Sequence, residues 1–287
     1  MLNVELIRPE PQHVPELARI CFEAFKGIHD RHAFPRDIPN IELASMIMGM
    51  LTSRNDFYGV AARVDGKVVG SNFISLTDEV GGVGPITVDP AYDGHGIGRK
   101  LMRAVLDYAN GIGMKQIRLL QDSFNTKSMS LYASLGFDAR VPIGLMDARP
   151  APSPDPSVRQ ATVQDVAAMD ELCRHVFKVS RRGELNAAFR FNFPVFMRER
   201  DGVVLAYMIP GFFGHGAGRT TADALALVGE ASRQLPPELA LFFCPLTSGD
   251  FYRGALQAGH RLRKIMTYMT YGPFPQPEPI WMPSIVY

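Results

Sequence analysis

A short glycine-rich stretch is the first place in the chain where residue types and spacing indicate chemistry. Residues 93–100 read DGHGIGRK, with three alternating glycines followed by Arg99 and Lys100. Glycines before a helix leave backbone N–H groups uncovered at the positive end of the helix dipole, and this geometry binds phosphate. The stretch matches neither the dinucleotide fingerprint with its later acidic residue nor the GxxxxGK[ST] loop for nucleoside triphosphates. A different phosphate-bearing ligand is therefore predicted.

The segments around this stretch alternate between strand and helix patterns. A hairpin with an Asp65-Gly66 turn comes first, and a strand then leads directly into the glycines. A helix follows them, then another strand, then a helix with a good N-cap residue and a terminating glycine. These five elements are predicted at 57–76, 83–88, 97–111, 116–121 and 125–137. The first half of the chain is thus expected to be α/β.

Two of these segments resemble a known family. ITVDPAYDGHGIGRKLM (86–102), followed by NTKSMSLYASLGF (125–137), is similar to the GNAT superfamily of acyl-coenzyme A dependent N-acetyltransferases. The family pattern is V-x-P, an aromatic residue, [QR]-x-x-G-x-G, and later N-x-x-[AS]-x-x-x-Y-x-x-x-G-F. Both motifs occur in order at normal separation, and the resemblance extends through about residues 4–146. It implies a mixed, mostly antiparallel twisted sheet flanked by helices.

The resemblance also implies how acetyl-coenzyme A, the co-substrate, is held. The backbone near Thr87 and Val88 would pair with the pantetheine arm, as an added strand does. Amides from Gly94 to Arg99 would hold the pyrophosphate. The implied cofactor-binding residues are Thr87, Val88, Asp93, Gly94, His95, Gly96, Ile97, Gly98, Arg99, Lys100, Asn125, Ser128 and Tyr132. No metal is implied.

Asp93 departs from the family pattern, because Gln or Arg is usual at its position. A carboxylate about 5 Å from a phosphate charge would cost on the order of 3 kcal/mol at an effective dielectric constant near 20, which weakens binding more than a hundredfold. We expect Asp93 to turn away, or to cap the helix that starts near Gly96. If Asp93 cannot turn, the affinity for the cofactor is lowered. The alternative function is a non-catalytic acyl-coenzyme A sensor or regulatory module, in which the first domain still binds the coenzyme and Asp93 has cost it catalysis.

Acetyl transfer to an amine requires a neutral amine, a donor to the oxyanion, and a proton for the departing thiolate. By resemblance, the amide of Val88 is the oxyanion donor and Tyr132 is the general acid, since a phenol with a pKa near 10 suits a thiol. Without the motif, Tyr132 would be an ordinary packing residue of an amphipathic helix. The implied reaction is direct attack in a ternary complex. No base is selected among the first-half candidates Glu23, His29, His32, Asp78, Glu79 and Asp122.

The chain divides into two similar halves. Residues 148–157, ARPAPSPDPS, predict a semi-rigid proline-rich linker. The segments 12–25 and 164–177 share Gln, Val, Cys and Phe in register and have helical spacing of apolar residues, which indicates internal duplication. We therefore predict a catalytic GNAT domain at 1–147 and a degenerate GNAT-like domain at 158–287.

The second half repeats the glycine pattern without the residues that the resemblance assigns to catalysis. FGHGAGRT at 213–220 aligns with the first stretch, but Ala255 then stands where Tyr132 stands, and Ser248 takes the place of the first N-cap. We expect these glycines to form a tight strand or turn rather than a phosphate cradle. Tyr252, one turn early, is the residue that would overturn the absence of catalysis.

Two further features of the second half bear on its structure. Asp201-Gly202 predicts a hairpin turn. When the two halves are aligned on their hairpins, one strand is missing before the glycines of the second half. This alignment therefore conflicts with the alignment on the GHG residues. The apolar ending PIWMPSIVY, at 279–287, carries the single Trp and is expected to be docked, against the other domain as one possibility. The acceptor is expected beside the segment 26–56, which is mixed in charge and leaves a small-molecule amine and a peptide amine both open.

The charge, the apolar segments and the cysteines of the chain limit the classes of binding partner and the compartment. A net charge of +1 with no long run of like charge disfavours nucleic acid. Neither a signal peptide nor an apolar membrane span is present in the sequence, so a cytoplasmic protein without a membrane partner is expected, as a monomer or homodimer. Three widely spaced cysteines in apolar surroundings indicate buried thiols in a reducing compartment.

Overall fold

The computed structural model describes residues 2–287, and their contacts divide the chain into two compact units. The first unit runs to Ile117 and also contains Phe124–Gly136. The second comprises Arg118–Ser123 and Phe137–Tyr287. Both units combine helices with sheet, so the expected α/β class is confirmed.

The first ten elements follow one another from Val4 to Ala133. They are β1 (Val4–Ile7), α1 (Val14–His32), α2 (Ile41–Ser53), β2 (Phe57–Val64), β3 (Lys67–Ser75), β4 (Val80–Val83), β5 (Thr87–Val88), α3 (Ile97–Gly111), β6 (Gln116–Asp122) and α4 (Thr126–Ala133). From Arg118 onward, β6 belongs to the second unit.

In the first unit, β1, β2, β3 and β4 pair in that order as antiparallel neighbours, and β5 pairs with β3. The predicted hairpin is confirmed: Asp65 and Gly66 have φ values of 48° and 80°, which an Asp-Gly turn of this kind requires. The predicted continuous strand 83–88 is wrong. It is interrupted at Gly84-Pro85, because proline has no N–H to donate to a ladder.

The core of the first unit lies between its two long helices and the sheet. Leu17 and Cys21 on one face of α1 meet Ala44 and Met48 of α2, and all four are fully buried with Phe73 of β3. Burial of each large apolar side chain contributes about 1.5–3 kcal/mol. This packing holds α1 and the sheet in a fixed relation, and the site described below is built on both.

The second unit completes the chain. Over residues 2–287 there are fourteen strands and eight α-helices in total. Its own elements are β7 (Asp138–Asp147), β8 (Val158–Gln160), α5 (Val166–Phe177), α6 (Arg182–Arg190), β9 (Phe196–Arg200), β10 (Val203–Met208), β11 (Gly216–Gly218), α7 (Thr221–Gln234), β12 (Leu241–Pro245), α8 (Gly249–Gln257), β13 (Arg261–Tyr271) and β14 (Trp281–Met282).

The sheets of the second unit explain why the units part after Gly136. In one sheet β7 lies between β13 and β12 and is antiparallel to both, with Ile143 opposite Met266 on one side and Pro245 on the other. The other sheet has the order β14-β11-β10-β9-β8. Because its ladders run to β12 and β13, β7 is part of the second unit although it precedes the proline-rich segment. The division into domains at 148–157 stays a prediction about the sequence.

The second unit repeats the local geometry of the first at several helix ends. Asn125 and Ser248, the residues before α4 and α8, have nearly the same backbone angles, with φ of −84° and −83°. Gly136 and Gly259 end these helices with φ of 95° and 85°. The shared helix ends support the duplication that the sequence predicts.

The glycines of the second half lie in a different element from those of the first. Gly216 and Gly218 are in β11, as the expectation of a tight strand predicts, whereas Gly96 precedes α3. The hairpin β9–β10 turns at Asp201-Gly202 with φ of 52° and 76°, as predicted. Only β11 separates it from α7, so the alignment on the hairpin describes the structure and the one on the glycines does not.

The end of the chain and the three cysteines are buried, as expected. Trp281 is 2% exposed, and β14 pairs with β11 of its own unit. Cys21, Cys173 and Cys244 are free thiols, and burial raises the pKa of each to about 12. Thiols in this condition are inert as nucleophiles.

Among residues 2–287, no helix combines the length and the apolar character needed to cross a membrane.

Candidate active site

The short strand β5 leads into the glycine loop, defined here as residues 93–98. Val88 lies opposite Gly70 of β3, and a side-chain carbon at Gly70 would come within 2.7 Å of the Thr87 carbonyl oxygen. Gly70 therefore permits the close approach of the two strands. The Asp89 N–H donates to the Val69 carbonyl at 2.9 Å. Because alternate amides of a strand point to opposite edges, the Val88 N–H points away from β3, to an edge with which no other strand of residues 2–287 pairs.

The glycine loop opens directly into α3. Gly94 and Gly96 both have φ of 78°, in the left-handed region, and within 4 Å of the positions that their side chains would take there is open space. No side chain caps α3 at its N-terminus. The first-turn amides of a 15-residue helix are thus left for an external acceptor, and the helix dipole favours an anion there.

The first turn of α3 packs on α4 and on β5. A side-chain carbon at Gly98 would lie 3.4 Å from Leu131 and 3.9 Å from Val88. The structure thus brings together the strand, the glycine loop and the helix that carries Tyr132. Ile97 anchors this turn in the core at 1% exposed, while Arg99 is half-buried and Lys100 is exposed.

Helix α4 begins at the predicted cap. The Asn125 side chain accepts a hydrogen bond from the Ser128 N–H at 3.2 Å. Tyr132 lies two turns further on and is 6% exposed. Asn125 therefore acts locally as a cap, which fixes the start of the helix and the direction in which Tyr132 is presented.

Asp93 does not cap α3. Its carboxylate accepts a hydrogen bond from the Gly94 N–H at 2.9 Å and forms an ion pair with Lys127 of α4. The Lys127 ammonium, together with the Gly94 N–H, holds the pKa of Asp93 below its usual value against the opposing effect of burial. His95 is exposed, and its Nδ1 lies 2.9 Å from the Asp93 carbonyl oxygen. The negative charge of Asp93, the residue that departs from the family pattern, is therefore balanced by the ammonium of Lys127 on α4.

An ion-pair network on α1 holds the chain just before the glycine loop. Arg19 contacts Asp89 at 2.5 Å, as well as Glu16 at 2.6 Å and Glu23 at 2.5 Å. The other Asp89 oxygen accepts from the Ala91 N–H at 2.9 Å. Burial acts to raise the pKa of Asp89, but the bonds from Arg19 and the Ala91 N–H outweigh it, so the pKa lies below its usual value.

Sequence reasoning missed both Arg19 and Lys127. Arg19 has Glu partners at helical spacing on both sides, so its sequence signal is that of an ordinary exposed helix pair. Lys127 has no signal at all, since its partner Asp93 is distant in sequence.

Several candidate bases are already engaged. Glu23 is paired with Arg19, and Asp122 contacts Lys264 at 2.5 Å in the second unit. His29 is fully buried, with Nδ1 2.8 Å from the Phe25 carbonyl oxygen and Nε2 3.4 Å from Asp37. These contacts explain each group structurally, and no base is assigned.

Aromatic rings surround Phe124, the residue before the cap of α4. Phe34 stacks on Phe124 with ring centroids 4.4 Å apart, and His32 lies 5.1 Å from the same ring. Phe34 and His32 belong to the segment expected to shape the acceptor site. The aromatic cluster thus connects that segment to the start of α4.

Comparison with known proteins agrees with this site. The family model described as the Acetyltransferase (GNAT) family matches residues 15–137. An uncharacterized N-acetyltransferase of Archaeoglobus fulgidus is 28% identical over 139 residues, which are 46% of this chain and 90% of that protein.

Two solved structures are similar over nearly the whole chain. A putative acetyltransferase from Pyrococcus horikoshii superposes with a TM-score of 0.80 at 15% identity, covering 100% of this chain and 95% of that one. A tandem GNAT protein from the clavulanic acid biosynthesis pathway gives 0.58 at 13% identity, covering 96% and 100%. At these identities the likeness shows the fold, which is a tandem GNAT fold. The matched segment contains β5, the glycine loop, the uncapped start of α3 and Tyr132, so residues 15–137 are similar to the GNAT family of acetyltransferases, and these matches support an acyltransferase enzyme.

Proposed function

We propose that the first unit transfers an acetyl group from acetyl-coenzyme A to an amine by direct attack in a ternary complex. The observation that carries this proposal is the uncapped N-terminus of α3, with open space at Gly94 and Gly96, beside the unpaired edge of β5. An anion-binding helix end next to a free strand edge suits a ligand that has a diphosphate at one place and an amide-bearing arm at another.

The residues present fit acetyl-coenzyme A. The first-turn amides of α3 would hold its diphosphate, and Arg99 and Lys100 add positive charge at that helix end. The backbone of Thr87 and Val88 would pair with the pantetheine arm. Asp93 does not repel the diphosphate with its full charge, because Lys127 neutralises it.

When bound, acetyl-coenzyme A supplies the thioester that is attacked. Val88 would be the oxyanion donor, and the direction of its N–H, toward the unpaired edge of β5, supports this role. A phenol ordinarily has a pKa near 10, which suits proton transfer to a thiolate, and Tyr132 would supply that proton to the departing thiolate. Removal of one such donor or acid typically costs about a hundredfold or more in turnover.

The test compares Tyr132→Phe with Tyr108→Phe, a change to an exposed tyrosine of α3. We expect Tyr132→Phe to lower kcat by about a hundredfold with an amine panel, and to leave the Kd for coenzyme A within about twofold by calorimetry. Tyr108→Phe should change neither quantity. Coenzyme binding by the natural protein with no thioester consumption across the panel would contradict the proposal and favour a sensor.

A further inference from the structure

The second unit contains a counterpart of β5. Helix α3 packs on β2, β3 and β5 in the first unit, and α7 packs on β9, β10 and β11 in the second. Likewise α1 contacts β3 and β5, and α5 contacts β10 and β11. The strand β11 therefore corresponds to β5, and its edge opposite β10 corresponds to the edge to which the Val88 N–H points.

That edge of β11 carries another strand. Gly216 pairs with Met282 and Ala217 pairs with Trp281, so β14 lies antiparallel to β11. The same strand also contacts β12. Residues 281–282 thus occupy the space between β11 and β12.

We propose that the second unit has a strand-addition site between β11 and β12, that residues 279–287 are its resident ligand, and that this site takes an extended peptide in place of a coenzyme. The likeness to a coenzyme site rests on the proposed function of the first unit. The peptide-binding part of the proposal does not.

The glycines of the second repeat leave space that side chains of this segment fill. A side-chain carbon at Gly216 would lie 2.7 Å from the Met282 Cε and 2.6 Å from the Tyr207 carbonyl oxygen. One at Gly218 would lie 3.0 Å from the Ile280 Cγ2. The carbonyl oxygen of β10 cannot yield at 2.6 Å, so the pairing of β11 with β10 requires glycine at 216. On the side of the added segment, the side chains of Met282 and Ile280 fill the space that Gly216 and Gly218 leave.

Aromatic packing gives the segment a central anchor. Trp281 meets the rings of Phe177 and Tyr268 edge-on, with centroids 5.7 Å and 5.1 Å apart. A buried aromatic side chain in a pocket is the usual energetic centre of a peptide site.

A buried arginine holds the far end of the segment. Arg181 is 0% exposed, donates to the Ser284 Oγ at 2.9 Å, and lies 4.0 Å from the centroid of the Tyr287 ring. Glu184 balances its charge. Because a buried guanidinium needs its partners, the removal of residues 284–287 exposes a charged recess rather than a smooth apolar surface.

The coenzyme cradle, in contrast, is missing from the second unit. Only residues 219–220 connect β11 to α7, and Thr220 caps that helix by accepting from the Asp223 N–H at 3.1 Å. The Asp223 carboxylate also lies at this helix end and pairs with Arg198 at 2.9 Å. An N-terminus that already carries a cap and a carboxylate does not attract a diphosphate.

The experiment uses the full chain with a protease site placed in the segment 272–276, cut after folding. A fluorescent peptide of residues 279–287 is then exchanged against the bound segment. We expect saturable uptake of one peptide per chain, at least tenfold weaker uptake of the Trp281→Ala peptide, and none of a scrambled peptide. Equal uptake of the scrambled sequence, or no uptake while circular dichroism shows the fold intact, would overturn the proposal.

Calorimetry with coenzyme A on the same cut chain, washed free of the segment, provides the second readout. We expect no coenzyme site beyond those of the uncut chain. One additional coenzyme per chain after removal of the segment would show that the site is made for a coenzyme and would overturn the peptide assignment. Absence of coenzyme binding by the uncut chain would defeat the proposed function of the first unit and leave the peptide result untouched.

Discussion

If the glycine loop binds a diphosphate as proposed, the ion pair between Asp93 and Lys127 sets the strength of that attraction. An unpaired carboxylate about 5 Å from a phosphate charge costs about 3 kcal/mol at an effective dielectric constant of 20, and about 0.8 kcal/mol at 80. The two side chains are 57% and 66% exposed, so the smaller figure applies. Lys127→Ala leaves Asp93 unpaired and should raise the Kd for coenzyme A about fourfold.

The reciprocal variants complete the test of this pair. Asp93→Asn keeps an acceptor for the Gly94 N–H and frees Lys127, so it should lower the Kd about fourfold. The double variant should bind nearly as the natural protein does, because its loop is again neutral. Calorimetry at 0.05 M and 1 M salt measures all four proteins, and the differences should vanish at 1 M, where the screening length is about 3 Å. An unchanged Kd for Lys127→Ala at low salt, or weaker binding by Asp93→Asn, would refute the electrostatic reasoning.

Two further outcomes follow from the structure. His260 accepts a hydrogen bond from the backbone N–H of Arg149 at 2.9 Å, and burial lowers the pKa of His260 to about 4. Between pH 6.5 and 4, His260 therefore binds a proton in the unfolded chain but not in the folded chain. The free energy of unfolding should therefore fall by about 1.4 kcal/mol per pH unit as the pH drops from 6.5 toward 4, and urea titrations of His260→Gln should show a shallower fall; identical slopes would refute this. Arg19→Met should raise the Kd for coenzyme A several-fold by releasing Asp89, whereas Arg63→Met, an equally exposed arginine paired with Glu5, should leave that Kd unchanged.

Local signals in the sequence predicted much of the fold and of the candidate site. The Asp-Gly dipeptides at 65–66 and 201–202 each form a hairpin turn, because the positive φ angles of such a turn select these residues within a few positions of chain. Asn125 caps α4 because its side chain accepts from the Ser128 N–H, and the positive φ angles of Gly94 and Gly96 select glycine before α3. Features determined by neighbouring residues are readable from one sequence.

Features that join distant residues were not predictable in this way. No periodicity indicates that Lys127 pairs with Asp93, or that β14 adds to β11, since either contact is chosen by the tertiary arrangement. The match of GHG at 94–96 with GHG at 214–216 was misleading, because the glycines have positive φ angles in the loop before α3 in one place and allow a close strand approach in the other. Glycine is required at Gly94 and Gly96 by a positive φ angle, and at Gly216 by the close approach of a neighbouring strand.

The position of β7 between β12 and β13 has a consequence for synthesis of the chain. Both neighbours of β7 are encoded downstream of it, so the strand leaves the ribosome with neither edge matched. At the usual pace of translation, on the order of ten seconds pass before β13 emerges. During that interval both edges of β7 can pair with strands of other chains. A nascent chain with this strand order therefore depends on chaperones, or on rapid folding once β12 and β13 have emerged, to reach its native pairing.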